Sequence, residues 1–404
     1  MGSVHIDSFH ALLTDEGRRL LDLLADHVVA DELSLATRLR RDHDPELIAA
    51  ALTQTRLRRR GRAKFAHDAD RMFFTPDGLE QSTRTVVAEH RAARFVAAGD
   101  VETVADLCCG IGGDAFALAQ AGIAVRAFDL DPLTCAVARA NAHALGLADR
   151  LVVECADVTE VALDGYDAVM IDPARRGARG RTFDPRAYSP PFSFVTTLAE
   201  RVRRGAAKVA PGIPHEIVPA GWEAEWVSDR GDVKEAVLWW GDLVRARLRA
   251  TRLPHGGEVS SWGPVRQIPV GPVRRYLYEA DGAVVRSHLI AQLADGVNGT
   301  LLDETIAYFT SDVLSDPSLA SVYEITDVLP FNLKKLKALL RERGVGNLTV
   351  KKRGSAVEPE EVRRRVKPTG PNSATVVLTR VAGAPTMLIT RPVSDGAPDP
   401  AQPM

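Results

Sequence analysis

The run D-L-C-C-G-I-G-G-D at 106–114 sets three glycines (110, 112, 113) between two carboxylates. Glycine there lets a ligand approach the backbone more closely than a β-carbon permits, and it supplies positive φ where a turn demands it. The exposed N–H groups at the start of the helix that follows suit an anionic group. Asp129, in F-D-L-D-P, comes 19 residues after Gly110, a spacing at which a carboxylate can accept both hydroxyls of a ribose. Asp157, in E-C-A-D-V, is placed to meet an adenine amino group, and Asp172 brings a further acid in I-D-P-A-R-R.

Strands alternating with helices must bring these residues together. Val101 to Leu107, Ala124 to Phe128, Leu151 to Glu154 and Tyr166 to Ile171 read as short apolar strands, with helices over Asp114 to Ala121 and Pro132 to Leu145. This rhythm predicts an α/β fold with a doubly wound, Rossmann-like parallel sheet whose strand ends carry all four acids. Two chemistries compete for such an edge. Gly110, Gly112 and Ala115 satisfy G-x-G-x-x-G/A, the dinucleotide pattern of an NAD-dependent oxidoreductase. Asp106 argues against it, because a carboxylate before the glycines repels a pyrophosphate and holds an ammonium. Asp172-Pro173 at the fourth strand end is a group that a nicotinamide enzyme does not need and a transferase presenting an acceptor does.

D-L-C-C-G-I-G-G-D, F-D-L-D-P, A-V-A-R-A-N-A and D-A-V-M-I-D-P together resemble the core of class I S-adenosylmethionine-dependent methyltransferases, most closely the trimethylguanosine synthases and related RNA methylases. The resemblance covers residues 101–181. It implies S-adenosylmethionine as cofactor, with Asp106 on its methionine part, Cys108, Gly110 and Gly112 in the loop packed on it, Asp129 on the ribose and Asp157 near adenine. It further implies catalytic roles for Asp172, Pro173 and Arg175, and a substrate contact for Arg176. The fourth-strand motif departs from the D/N-P-P-Y/F/W of amino-group methylases. Asp172-Pro173-Ala174-Arg175-Arg176-Gly177 looks more like that of the 5-methyluridine methylases, which attack through a later cysteine. This chain has none after Cys155, and K-V-A-P-G at 208–212 stands in its place, so direct transfer without a covalent intermediate is expected. Phe183, Tyr188 and Phe192, in a proline-rich stretch, either stack on an acceptor base as a lid or pack an ordinary loop.

Residues 1–97 read as helical, with helix starts such as Asp44-Pro45. Their basic run, Arg56, Arg58, Arg59, Arg60, Arg62 and Lys64, is either an exposed helix face or a nucleic-acid contact. The methyltransferase core is expected over 98–230 and a β-rich intermediate region over 231–320. In that region strands are read at Val233 to Trp240, Leu243 to Thr251, Val265 to Val270 and Val273 to Glu279, and helices at Val285 to Leu293 and Leu301 to Phe309. A basic domain follows over 321–393, then a loose tail over 394–404.

The net charge of −2 conceals an asymmetry. Residues 331–391 hold fourteen Lys and Arg against four Glu, a balance of +10 that leaves −12 on the rest, and six of the nine lysines lie between 334 and 367. L-P-F-N-L-K-K-L-K-A-L-L and G-N-L-T-V-K-K-R-G resemble the THUMP-like domain of some bacterial methyltransferases. That likeness implies a ferredoxin-like α+β domain binding RNA through phosphates, with Lys334, Lys335, Lys351 and Lys352 as contacts. A non-catalytic RNA-binding protein on the same fold, and a small-molecule or protein methyltransferase, are the rival readings. Four cysteines without C-x-x-C, scattered histidines and no long apolar run predict reduced thiols, no metal, no membrane span and a cytoplasmic location.

Overall fold

The computed structural model describes residues 5–25, 32–177, 180–181, 184–254, 256–315 and 318–393. The expected tail over 394–404 lies outside them. The chain forms two compact units: Met1–Glu223 with Ala236–Arg245, and Ala224–Glu235 with Ala246–Met404.

Among the described residues of the first unit, six α-helices precede the first strand: α1 (Ile6–Leu12), α2 (Asp15–Ala25), α3 (Glu32–Leu39), α4 (Pro45–Phe65), α5 (Pro76–Gln81) and α6 (Thr85–Val96). Asp44 caps α4, accepting the Glu46 and Leu47 amides at 2.7 and 3.1 Å with Pro45 at the first helical position. These helices share one hydrophobic core with the sheet that follows, through Phe9, Ile48, Phe74 and Phe95 among others. Two buried amides fasten them by pairing both backbone groups of a residue. Gln54 binds Phe74 at 2.8 and 3.0 Å, and Asn141 binds Phe73 at 2.6 and 3.0 Å.

Three members of the basic run on α4 are taken up by contacts within this unit, while Arg56 and Arg60 are exposed. Arg58 donates to the Met72 carbonyl at 2.8 Å and covers the Phe73 ring, and Arg62 pairs with Asp70. Lys64 donates to the carbonyls of Leu79, Glu80 and Ser82 at 2.7–2.8 Å, capping the end of α5.

The sheet of this unit runs from β1 (Thr103–Leu107) through α7 (Gly113–Gln120), β2 (Ala124–Asp129), α8 (Pro132–Ala144), β3 (Leu151–Cys155) and β4 (Ala168–Ile171). A two-residue hairpin (β5, Arg176–Gly177, with β6, Gly180–Arg181) and α9 (Phe192–Arg201) lead to β7 (Gly205–Val209). β7, β4, β1, β2 and β3 lie side by side in that order and parallel. The chain therefore winds outward from β1 to β3 and returns to β1's other side with β4. That reversal opens a crevice at the carboxyl ends of β1 and β4. Ala236–Trp240 of β9 (Asp232–Trp240) closes the other side of β7 in antiparallel register, with Trp239 and Trp240 buried.

The second unit contains β8 (Glu223–Asp229) parallel to β10 (Leu248–Leu253), which pairs antiparallel with β11 (Gly257–Ser261). It also contains a seven-stranded sheet. In chain order its elements are β12 (Tyr276–Ala280), α10 (Gly282–Arg286), α11 (Ile290–Asp295), β13 (Thr300–Asp303), β14 (Ile306–Ser311) and β15 (Ala320–Pro330). Then come α12 (Leu333–Glu342), β16 (Val345–Lys352), α13 (Pro359–Val366), β17 (Asn372–Val381) and β18 (Ala384–Pro392). The strands lie in the order β13-β14-β12-β15-β18-β17-β16, and within it β16 and β17 are parallel. Leu336, Leu340, Val362, Val366, Val376 and Met387 pack α12 and α13 on this sheet.

Three expectations are corrected here. Leu301 to Phe309 is a strand pair, not a helix. Its β-branched and aromatic residues suit a pleated surface, and Asp303 turns the chain by accepting the Thr305 amide at 3.0 Å and hydroxyl at 2.7 Å. Val265 to Val270 forms no strand, only an isolated bridge at Val270; Pro264 and Pro269 remove the donors a ladder needs. Leu243 to Thr251 begins as a short 3-10 turn, and its strand, β10, starts only at Leu248. The boundary read near 230 falls between β8 and β9, whereas the units exchange chain at 223/224, 235/236 and 245/246.

Candidate active site

β1 ends in Asp106 and Leu107, and the chain then turns through two left-handed residues, Cys108 (φ 61°) and Gly110 (φ 57°), to Gly112 (φ 100°), which starts α7. A β-carbon on Gly112 would lie 2.4 Å from the Phe116 ring, so only glycine closes the loop onto the helix. A β-carbon on Gly110 would meet nothing within 4 Å: it would project into open space above the loop. A β-branched or bulky residue at Gly110's φ would be strained.

The loop is tied to the next strand. The Cys109 amide donates to the Phe128 carbonyl at 3.0 Å, and the Gly110 amide donates to Asp129 Oδ2 at 2.9 Å. Asp129 Oδ1 accepts the Asp131 amide at 3.1 Å. Burial raises the Asp129 carboxyl above its ordinary value, partly offset by these amides. Asp157 lies exposed beyond β3 and is held below its ordinary value by the Thr159 hydroxyl (2.7 Å) and amide (2.9 Å). Burial, with the charges of Asp129, Asp172, Asp106 and Asp157, pushes the Cys108 thiol well up, so it is no nucleophile at neutral pH.

Asp106 is 1% exposed, and its Oδ2 has no hydrogen-bond partner. Burial, then the charges of Asp114 and Asp172, push its carboxyl well above the usual range. Four residues to which the sequence assigned no role lie near it: Thr83, Arg91, Asp114 and Lys208, all buried. Asp114 accepts from Arg91 and from Thr83 Oγ1 (2.8 Å). Its burial alone would raise its pKa, but the Arg91 and Lys208 charges with the Thr83 hydroxyl bring it below the ordinary value. Lys208 donates to Thr83 Oγ1 at 2.9 Å and pairs with Asp172 Oδ2. β4 and β7 pair Ile171 with Ala207, so the next residues, Asp172 just past β4 and Lys208 within β7, fall level with each other. Asp114 and Lys208 did appear inside quoted motifs; Thr83 and Arg91 had no local signal.

Asp172 is anchored through its amide to the Leu107 carbonyl at 3.1 Å, which fixes it beside Asp106's strand. Pro173 is buried, and Ala174 forms a bridge with Ser189 that brings the proline-rich stretch back to this edge. Arg175 is partly buried, and its Nη1 has no partner. Tyr188 and Phe192 are both buried, packing the loop, and the Tyr188 hydroxyl accepts the Ala210 amide at 3.1 Å. Phe183 and the side chain of Arg176 lie outside the described residues. In the second unit, Lys334 and Lys335 are exposed on α12. Lys351 instead pairs with Glu279 and sits 4.8 Å from the Tyr323 ring centre, and Lys352 pairs with Glu358.

A glycine turn at the switch point of a doubly wound sheet, with an acid before it and one after the second strand, defines a nucleoside-binding methyltransferase fold. Comparison with known proteins agrees. The profile of the RNA cap guanine-N2 methyltransferases matches residues 101–193, that of THUMP-like domains 320–392, and a domain of unknown function 5–61. The chain is 34% identical over 351 residues to an uncharacterized S-adenosylmethionine-dependent methyltransferase of Mycobacterium tuberculosis, spanning 84% of this chain and 94% of that one. The chain therefore belongs to the S-adenosylmethionine-dependent methyltransferases and carries a C-terminal THUMP-like domain. A 23S rRNA uracil-C5 methyltransferase of Paraburkholderia xenovorans is 34% identical over 116 residues, 27% of this chain and 25% of that one. A methyltransferase structure from Porphyromonas gingivalis W83 shares the fold, with a TM-score of 0.77 at 21% identity over 93% of this chain and 97% of that one.

The site fits the cofactor that family uses. Asp106 offers a buried carboxylate oxygen without a partner, Gly110 leaves open space over the loop, and Asp129 stands at the next strand end. Among the described residues no group of three metal-ligating side chains occurs, and no helix is long and apolar enough to cross a membrane.

Proposed function

We propose that this enzyme methylates a base of RNA by direct in-line transfer, with no covalent cysteine intermediate. The observation that carries the reading is the position of Asp172 beside the orphaned Asp106 oxygen at one sheet edge. Asp106 holds the ammonium of the cofactor's methionine part, Gly110 and Gly112 give it room, Asp129 takes the ribose hydroxyls and Asp157 lies toward adenine. Bound S-adenosylmethionine supplies an electrophilic methyl whose sulfonium loses its charge as the methyl leaves. Asp172, one oxygen fixed by Lys208, accepts a hydrogen bond from the acceptor's N–H and orients its lone pair. Pro173 fixes the turn that presents it, and the unpartnered Arg175 Nη1 takes a polar edge or phosphate of the substrate. Positioning and exclusion of water supply most of the rate, since the step needs little acid–base power.

RNA is supported by the cap-methyltransferase and THUMP-like matches and by the exposed Lys334 and Lys335. A uracil-C5 mechanism like that named for the Paraburkholderia relative would need a nucleophilic cysteine. All four thiols here precede Asp172, and β7 carries Lys208. Two measurements test the reading. Calorimetric titration is expected to give heat with S-adenosylhomocysteine and none with NAD. Incubation with methyl-labelled cofactor and RNA from cells lacking the gene is expected to label one nucleoside. Retained cofactor and RNA binding without label would instead make the protein a non-catalytic RNA binder.

A further inference from the structure

A second cavity, of about 600 Å³, lies in the first unit, lined by residues of α1, α2, α4 and α8 and by Asp70, Arg71 and Phe73. Its apolar part is Leu13, Leu21, Phe73, Ala136 and Ala140, and its polar part is dominated by four arginines, Arg18, Arg58, Arg71 and Arg139. Each arginine comes from a different part of the chain, so their convergence is tertiary and is not the by-product of one charged helix face.

The charges do not cancel inside the cavity. Of its two carboxylates, Asp70 is paired with Arg62, which is outside the lining, and Arg71 is likewise paired with Asp68 outside it. That leaves Arg18, Arg58 and Arg139 facing Asp22 and the Asp70 that Arg62 already holds. Arg139 donates through Nε to the Val153 carbonyl, which consumes none of its charge. Arg18 is exposed and forms no ion pair among the described residues. Arg58 is held below its ordinary pKa by burial, against the pull of Asp22 and Asp70. Converging guanidiniums attract phosphate oxygens, which they can bind bidentately. The apolar wall beside them suits a base or sugar, and the volume falls in the range of small-molecule sites.

We propose that this cavity is a second nucleotide site, taking the phosphate of a nucleotide on Arg18 and Arg139 and its base on the apolar wall. The nucleotide is free or is one unit of an RNA strand, and the test separates these sources. It is distinct from the cofactor site, since none of its lining residues belongs to the glycine loop or the β4 edge. The site gives the N-terminal helices a binding role and does not depend on what the enzyme methylates.

The test uses the full chain saturated with S-adenosylhomocysteine, so that the cofactor pocket is closed to the probe. Uridine, uridine 5′-monophosphate and single-stranded oligouridylate are titrated calorimetrically against the wild type, Arg18→Glu and Arg139→Glu. Uridine monophosphate is expected to bind, uridine much more weakly, and each substitution to weaken the phosphorylated probe by about tenfold or more. Affinity for S-adenosylhomocysteine should be unchanged in both variants, which shows that they are folded. Oligouridylate binding more tightly than the monophosphate, with a log–log salt slope shallower by about 0.7 in Arg18→Glu, identifies an RNA strand. Equal affinity identifies a free nucleotide. Absence of phosphate-dependent binding, or binding indifferent to both substitutions, overturns the proposal.

Discussion

Asp106 combines two properties that pull against each other. Its carboxyl is buried with an unpartnered oxygen and is pushed well above 3.8. A group whose pKa is higher folded than unfolded adds stability that is complete below the unfolded value and is lost as pH rises through the folded one. The unliganded protein should therefore lose stability as pH rises above the ordinary carboxylate range. Asp106→Asn should flatten that slope in denaturant titrations while weakening S-adenosylhomocysteine by about tenfold or more, the worth of a charge-assisted hydrogen bond. A variant that binds as tightly as the wild type would remove Asp106 from the cofactor site. Asp172 separates from it by the opposite pattern. Asp172→Asn is expected to lower labelled methyl transfer by about two orders of magnitude and to leave S-adenosylhomocysteine affinity within about threefold. At this scale the sequence marked the candidate residues that lie in local motifs, Asp106, Gly110, Asp129 and Asp172. It hid Arg91 and Thr83, which reach the site only because α6 and the segment before it fold against β1 and α7.

The elements show why some local patterns mislead. Two of the core strands, β1 and β4, are apolar runs buried almost throughout, whereas β2 and β3 alternate buried with exposed residues. β8 escaped notice because Glu223, Glu225 and Asp229 make it read as polar, yet all seven of its residues are buried. Glu223 satisfies itself on Arg94 and the Arg245 amide, and Glu225 on Thr251 at 2.6 Å. Charge that finds a tertiary partner looks the same in sequence as charge that finds water. The α4 run makes the same point for cations. Lys64→Met, which strips a charged donor from three carbonyls, is expected to cost about 1–3 kcal/mol. Arg60→Ala, at an exposed position, should stay within about 0.5 kcal/mol. Urea midpoints at unchanged m-value would report both, and equal effects would show that Lys64 is no cap.

Across the whole chain, the −12/+10 division of charge separates the methyl-transfer chemistry from the surface proposed to hold RNA. Only part of the basic segment is available for that task, because Lys351 and Lys352 spend their charge on Glu279 and Glu358. Lys334→Glu with Lys335→Glu should therefore weaken RNA binding and make its log–log salt slope shallower by about 0.9 for each duplex phosphate that is no longer neutralised. S-adenosylhomocysteine affinity should be untouched. An unchanged slope would move the RNA surface elsewhere.

The exchange of chain at 223/224, 235/236 and 245/246 bears on how such a protein can be inherited or cut. No single crossover in the gene separates the two units. A fragment ending near residue 230 loses Ala236–Arg245, exposing the flank of β7 that Trp239 and Trp240 cover and removing the Leu243 carbonyl from Arg94. Recombination that swaps one unit for another must exchange interleaved segments together, so the pair is expected to travel through evolution as one genetic block.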